Sequence, residues 1–246
     1  SSLQHSGLLD LWTLGHLVLV VLLGAAFALH ARRAAAPIID LQLFGQRTFT
    51  MGTIVAFTYG FGLFGSTYLI PVFLQQALGY SAAAAGGALI PSGIALTVTT
   101  PLAGRLADRF PPKRVTVVGL LLFGSSFFLF FAFGGRVTYT ELIAITVVGR
   151  IGLGLILPAL NLATLRDQEP QRLAQSTVVV SYVRQLGGVI GIAAMAVFVE
   201  WRIDVLGMAA VTRAYAQCFC FLAVVILAAV VAASFMRERQ GPARPG

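Results

Sequence analysis

Charged side chains are scarce in this sequence, so the few in unusual places stand out. One group is GRLADRFPPKR, Gly104 to Arg114, where Asp108 lies among Arg105, Arg109, Lys113 and Arg114. A carboxylate at that point can cap the helix that follows and meet its positive dipole end. The surrounding cations offer it partners, and Gly104 permits close approach of a neighbouring helix. Such a charged turn can latch one conformation of a rocking bundle; the plainer reading is a basic loop. A second pair, Arg150 and Arg184, lies inside long apolar runs. Guanidinium groups at membrane depth are costly; they face a partner or a water-filled cavity, or snorkel to an interface. Enzymatic chemistry finds no support. His5, His16 and His30 are too far apart to share a metal, and there is no nucleophile–base pair, phosphate-cradling loop or metal-ligand spacing. Cys218 and Cys220, two apart in an apolar run, point in nearly opposite directions on a helix and read as small buried residues. The sequence therefore predicts no enzyme, no metal and no cofactor.

The elements that must position these groups are built for lipid. Of 246 residues, 58% are hydrophobic and only 11% charged. A water-soluble domain carries about a quarter of its residues as charged ones. Seven segments, 9–30, 48–74, 82–104, 115–134, 139–165, 174–199 and 212–236, hold the roughly twenty apolar residues a membrane-crossing helix needs. None alternates as a barrel strand does. The expected fold class is all-α integral membrane, with seven transmembrane helices. The net charge of +8 falls in short clusters between the apolar runs, which argues for topology signals and against a nucleic-acid partner. Twelve of the seventeen Lys and Arg residues lie on one side: Arg32, Arg33 and Arg47; the 105–114 cluster; Arg166 and Arg172; Arg237, Arg239 and Arg244. Arg136, Arg202 and Arg213 lie on the other. The positive-inside rule makes the first side cytoplasmic, with the N-terminus outside and the C-terminus inside. An outside start at Ser1, no basic residue before the first segment and an odd number of crossings fit a piece of a longer chain. The expected organisation is an outer segment, accessory helix and linker over 1–47, a six-helix bundle over 48–236 and a cytoplasmic tail over 237–246. Arg-rich usage with one Lys, and abundant Ala, Gly and Val, fit the inner membrane of a high-GC bacterium.

Helical geometry places the intramembrane groups. Arg150 is about eleven residues into its segment, roughly 16 Å along it, and Arg184 reaches similar depth from the opposite side. At 100° per residue, Arg150, Gly154, Leu157 and Asn161 share one stripe, and Thr177, Ser181, Arg184, Gly188, Gly191 and Met195 another. Both stripes are expected to face inward, with Glu141 within reach of Arg150. Candidate cavity residues are Tyr59, Ser66, Gln75, Arg150, Asn161, Tyr182, Arg184 and Gln185; helix–helix hydrogen bonding is the bland alternative for each. Gly62, Pro71, Pro91 and Pro158 supply flexibility, and Gly187-x-x-x-Gly191 tight packing. Phe127, Phe128, Phe130, Phe131 and Phe133 are expected to wrap their helix as a lipid-facing surface.

The 104–114 stretch resembles the loop signature of the major facilitator superfamily: Gly104, Leu106, Asp108, Arg109, Lys113 and Arg114 match, while Pro111 and Pro112 replace a glycine and a basic residue. PIIDLQLFGQRTFT (37–50), YLIPVFLQQALGYSAAAAGGALIP (68–91), GRIGLGLILPALNLA (149–163) and VRQLGGVIGIA (183–193) resemble the fourteen-span drug:proton antiporters of the EmrB/QacA type. The resemblance implies that 9–30 is an inserted accessory helix and that 48–236 is the C-terminal six-helix bundle, with the 48–74 and 139–165 helices on a central cavity and 174–199 close by. It also implies proton-coupled export of amphipathic small molecules by alternating access, with the N-terminal bundle of the same transporter as a missing partner. No Asp or Glu lies near the middle of any apolar segment, whereas proton coupling needs a buried carboxylate. The chain alone is therefore expected not to couple transport to protons. The intramembrane cations would be balanced by acids of the other half, or would favour anionic groups on the substrate. Alternatives are an orphan half-bundle acting as partner or regulator, or export of an endogenous lipid, siderophore or antibiotic.

Overall fold

The computed structural model describes residues 41–165 and 168–236, all of them in helices and short connections. The expected accessory helix at 9–30, the three histidines, Arg166 and the tail from 237 lie outside the described residues. Six long helices follow in order: α1 (Arg47–Val72), α2 (Ala82–Arg109), α3 (Pro112–Phe133), α4 (Tyr139–Leu165), α5 (Pro170–Leu206) and α6 (Val211–Ser234). All lie in one compact unit, Phe44–Gly246. The chain is a multi-pass membrane protein; among the described residues five segments are long and apolar enough to cross: Arg47–Ala77, Ala82–Arg109, Pro112–Arg136, Tyr139–Leu165 and Met208–Ser234. The crossing expected at 174–199 falls on α5, a 37-residue helix that also carries Arg172, Arg184, Glu200, Arg202 and Asp204.

Local chemistry explains the helix ends. Pro71 lacks an N–H, and α1 runs into a π-helical turn, Phe73–Ala77, before Gly79 (φ 73°) reverses the chain. The Ser81 hydroxyl then caps α2 by accepting from the Ala84 N–H at 3.2 Å. Pro112 opens α3 at a position whose N–H would be unsatisfied anyway. Gly134 (φ 52°) ends α3, and Gly207 (φ 78°) ends α5. At the start of α4, Thr138 N–H and hydroxyl both donate to Glu141 Oε2 at 2.8 Å, while the Glu141 N–H donates back to Thr138 Oγ1. This is a reciprocal capping box.

The helices form an unequal bundle. α1 runs chiefly along α5 and also touches α6 and α4; α3 packs between α4 and α6; α2 packs on α4. α1 and α5 run parallel, and their backbones meet. A Cβ added at Gly60 would strike the Arg184 carbonyl, one at Gly187 the Phe57 carbonyl and one at Gly191 the Phe61 carbonyl. A similar approach joins Gly119 of α3 and Gly152 of α4, where either Cβ would fall within 2.8 Å of the other's carbonyl oxygen. Small residues at such crossings replace a hydrophobic drive, which lipid cannot supply, with close van der Waals contact.

An aromatic core joins α1, α3 and α6. Phe73, Phe127, Phe130, Tyr215 and Phe219 are fully buried. Phe219 stacks on Phe130 at 4.7 Å and meets Phe73 edge-on at 5.3 Å. This corrects the expected lipid-facing role of the phenylalanine run. Only Phe128, Phe131 and Phe133 are exposed; Phe123, Phe127 and Phe130, spaced four and three apart, share the inner face of α3. The Tyr215 hydroxyl donates to Gln76 Oε1 at 2.7 Å, tying α6 to the π-helical turn.

Candidate functional site

Tyr59, Arg150 and Arg184 lie on three helices of the bundle, α1, α4 and α5, and α1 packs against both of the others. Tyr59 sits on α1 beside Gly60, the residue that lets α1 close onto the backbone of Arg184. The Tyr59 side chain is buried. Arg150, on α4, is half-buried. Arg184 donates from Nη2 to Ser181 Oγ at 3.3 Å, and Gln185 Nε2 donates to the same oxygen at 3.4 Å. Among the described residues Arg150 has no hydrogen-bond or ion-pair partner from the protein. Glu141 is held by Thr138 at the far end of α4, which corrects the expected Arg150–Glu141 approach.

The other candidates separate. Asn161 and Thr177 line an open cleft of about 510 Å³ between the end of α4 and the start of α5, with Leu162, Leu165, Gln168, Pro170 and Leu173. Ser66 is buried but donates to the Leu63 carbonyl of its own helix at 3.0 Å. Gln75 is exposed and donates to the Pro71 carbonyl at 3.2 Å. Tyr182 and Gln185 are exposed on α5, on the side away from α1. The two expected inward stripes split. Gly154 packs on Thr99 of α2, with a virtual Cβ at 3.0 Å, whereas Gly188, Gly191 and Met195 bury against α1. Gly62 is filled by Ile226 and Phe123, and Pro91 and Pro158 lie inside α2 and α4.

At the 104–114 turn two expectations change. Gly104 faces open space rather than a neighbouring helix. Asp108 is exposed within the last turn of α2 and does not cap α3, whose N-cap position is Pro111 without a side-chain cap. α2 continues as far as Arg109, so the carboxylate lies short of the next helix, and the Pro111–Pro112 pair starts α3 by itself. Arg109 and Arg114 are exposed and Lys113 half-buried.

Sequence reasoning missed two polar links. Gln168 Nε2 donates to Gln46 Oε1 at 2.7 Å, joining the connector after α4 to the start of α1. Arg202 on α5 donates to Gln217 on α6 and lies over the Trp201 ring at 5.1 Å. The first joins residues 122 apart in the chain and the second two consecutive helices; Trp201-Arg202 next to Glu200 was the one local signal of an interfacial anchor.

The family model of the Major Facilitator Superfamily matches residues 11–192 and 52–246. The chain belongs to the major facilitator superfamily. Among similar proteins, "Multidrug resistance protein B homolog" of Mycobacterium tuberculosis is 30% identical over 73% of this chain and 34% of the relative. "Methylenomycin A resistance protein" of Streptomyces coelicolor is 30% identical over 78% of the chain and 42% of the relative. "Lincomycin resistance protein LmrB" of Listeria monocytogenes is 26% identical over 72% and 38%. The chain thus spans between a third and under a half of the length of these relatives.

Proposed function

We propose that this chain forms the C-terminal six-helix bundle, with one accessory helix, of an inner-membrane transporter that exports drugs or other amphipathic small molecules in exchange for protons. The observation that carries the reading is a membrane-spanning bundle related to resistance proteins that holds two half-buried arginines, Arg150 and Arg184, within its helices. The faces that the bundle leaves uncovered support a partner bundle. α2 exposes Ile90, Ile94, Val98 and Leu102 at four-residue spacing, and α5 exposes Val178, Tyr182, Leu186 and Val189. The N-terminal bundle of the same transporter would cover part of this surface, and rocking between the halves would give alternating access. The 104–114 turn would lie on the cytoplasmic face and bias that rocking through Asp108.

Proton coupling is assigned to the partner bundle. The carboxylates of the described helices, Asp108, Glu141, Glu200 and Asp204, all lie near helix ends, and Glu169 precedes α5. None is placed to lose its hydration and bind a proton at membrane depth. The test is efflux of a fluorescent amphiphilic dye from proteoliposomes under an imposed pH gradient. The chain joined to an N-terminal bundle should export the dye, and the chain alone should not. Gradient-driven efflux by the chain alone would overturn the division of labour; gradient-independent efflux by the joined protein would overturn proton coupling.

A further inference from the structure

The cleft between the end of α4 and the start of α5 combines apolar walls with one free amide. α4 and α5 follow each other in the chain, yet they barely touch; each lies against α1 instead. Their divergence beside the 165–170 connector opens the cleft. Its volume of about 510 Å³ falls inside the roughly 300–1,000 Å³ of small-molecule sites. Leu162, Leu165, Pro170 and Leu173 make its apolar walls. Two of its polar side chains are already engaged. The Thr177 hydroxyl donates to the Leu173 carbonyl at 2.8 Å. Gln168 donates from Nε2 to Gln46 and accepts at Oε1 from Ser176 Oγ at 3.4 Å. Asn161 differs. It is half-buried in the α4 wall, and among the described residues its carboxamide has no hydrogen-bond partner. Gln75 turns its amide back to the Pro71 carbonyl of its own helix, whereas Asn161 keeps two N–H donors and a carbonyl free. The charges around the mouth cancel. Glu169 and Arg172 pair at 3.8 Å, and the charged residues from 166 to 172, Arg166, Asp167, Glu169 and Arg172, sum to zero. In a chain of net charge +8, this rim favours neither an anion nor a cation.

We propose that this cleft binds an uncharged amphiphile whose polar end is a carboxamide. An amide can exchange a donor and an acceptor with a second amide, so such a ligand satisfies both ends of the Asn161 side chain. An ester accepts but does not donate, and leaves the Asn161 carbonyl unmet. A charged head group would leave water for apolar walls that offer no net counter-charge. The apolar body of the ligand lies against the leucines. Pro170 and Leu173 are exposed on α5, so the cleft opens on the surface of the bundle, at the end proposed as cytoplasmic. The inference rests on the export reading only in treating the bound amide as cargo; binding itself requires no second bundle.

The test uses the full chain, purified and held in nanodiscs of phosphatidylcholine. Binding of radiolabelled 2-naphthamide is compared with that of methyl 2-naphthoate and of the 2-naphthoate anion. The expected result is saturable binding of the amide, preferred over the ester and the anion by about threefold to tenfold, the size of one neutral hydrogen bond. Asn161→Leu should bring amide and ester within about twofold of each other. Ester binding retained in that variant reports an intact fold. Leu173→Trp, at an exposed position, should fill the cleft and block amide and ester alike with an unchanged melting midpoint. Should it not fold, Leu173→Phe takes its place. Three outcomes would overturn the proposal: no saturable binding of the amide, amide and ester bound equally by the unaltered chain, or an amide preference that survives Asn161→Leu. Amide binding by the chain alone that vanishes once an N-terminal bundle is joined would do the same, by giving the cleft to the contact between halves. None of these results touches dye efflux by the joined protein, so failure of the site and failure of the export reading are distinguishable.

Discussion

Gly191→Ala places the α1–α5 seam under a direct test. The added methyl would overlap the Phe61 carbonyl oxygen and lie 2.9 Å from Phe61 Cα, where ordinary contact begins at 3.4 Å. Both obstacles are backbone inside a helix, so neither can rotate away. α5 must then withdraw by at least about 0.5 Å, and a gap of that order forfeits a quarter or more of each dispersion contact along the seam. Val180, Met195 and Val199, buried on the same helix, lose part of their contact with it. Overpacking of this kind costs about 1–3 kcal/mol. At roughly 2–4 °C per kcal/mol for a domain of this size, the thermal midpoint should fall by about 2–12 °C. The assay is a melting curve of the purified chain in one detergent. Gly93→Ala and Gly104→Ala on α2 are the controls, because a Cβ at either meets nothing within 4 Å. Alanine there should hold the midpoint or raise it slightly, since it favours a helix by about 0.5–1 kcal/mol over glycine. If Gly191→Ala melts together with the controls, backbone-to-backbone contact is not what joins α1 to α5.

Phe219→Ala should cost about 3 kcal/mol or more, because it empties the centre of the cluster with Phe73, Phe127 and Phe130, and the same melting curve reads it. Glu141→Ala should lower the thermal midpoint by opening the Thr138 capping box, and Glu141→Gln, which keeps the acceptor, should recover most of the loss. Asp108→Asn, made in the transporter joined to its partner bundle, should reduce dye efflux while leaving membrane insertion unchanged; wild-type efflux would remove the latch reading. Introduced cysteines at 105–114 and at 200–211 should differ toward an impermeant thiol reagent in intact cells, the second reacting and the first protected. The opposite result would invert the topology.

Much of the architecture could be read from residue order alone, because lipid leaves few options for a backbone. The described helices fall on six of the expected segments, and their ends sit where Ser81, Pro112, Gly134 and Gly207 make a helix cheap to start or stop. What sequence could not show was which face a helix turns to which neighbour. The phenylalanine run of α3 looked uniform, yet Phe127 and Phe130 go to the core and Phe128 to the outside, a division set by where α6 lies. Gly154 shared a stripe with Arg150 but was taken by α2. Tyr59, Arg150 and Arg184 were visible only as three separate candidates; the packing of α1 against α4 and α5 that relates their helices is encoded by no local spacing. Asp108 was misread as a cap because the end of α2 was placed five residues early, at Gly104 instead of Arg109.

The length of α5 has a further consequence. At 1.5 Å per residue its 37 residues extend about 55 Å, against a hydrocarbon slab of about 30 Å. Leaning alone would need a tilt of roughly 57°, beyond the range of about 0–40° that membrane helices adopt. A crossing α5 would therefore keep its two ends in the head-group layers, with the Glu169–Arg172 pair at one end and Glu200, Trp201 and Arg202 at the other. A rod with overhang at both ends can sit in thinner or thicker bilayers without dragging charge into the oil, so the spacing it shares with α1 is insulated from the thickness of the sheet around it.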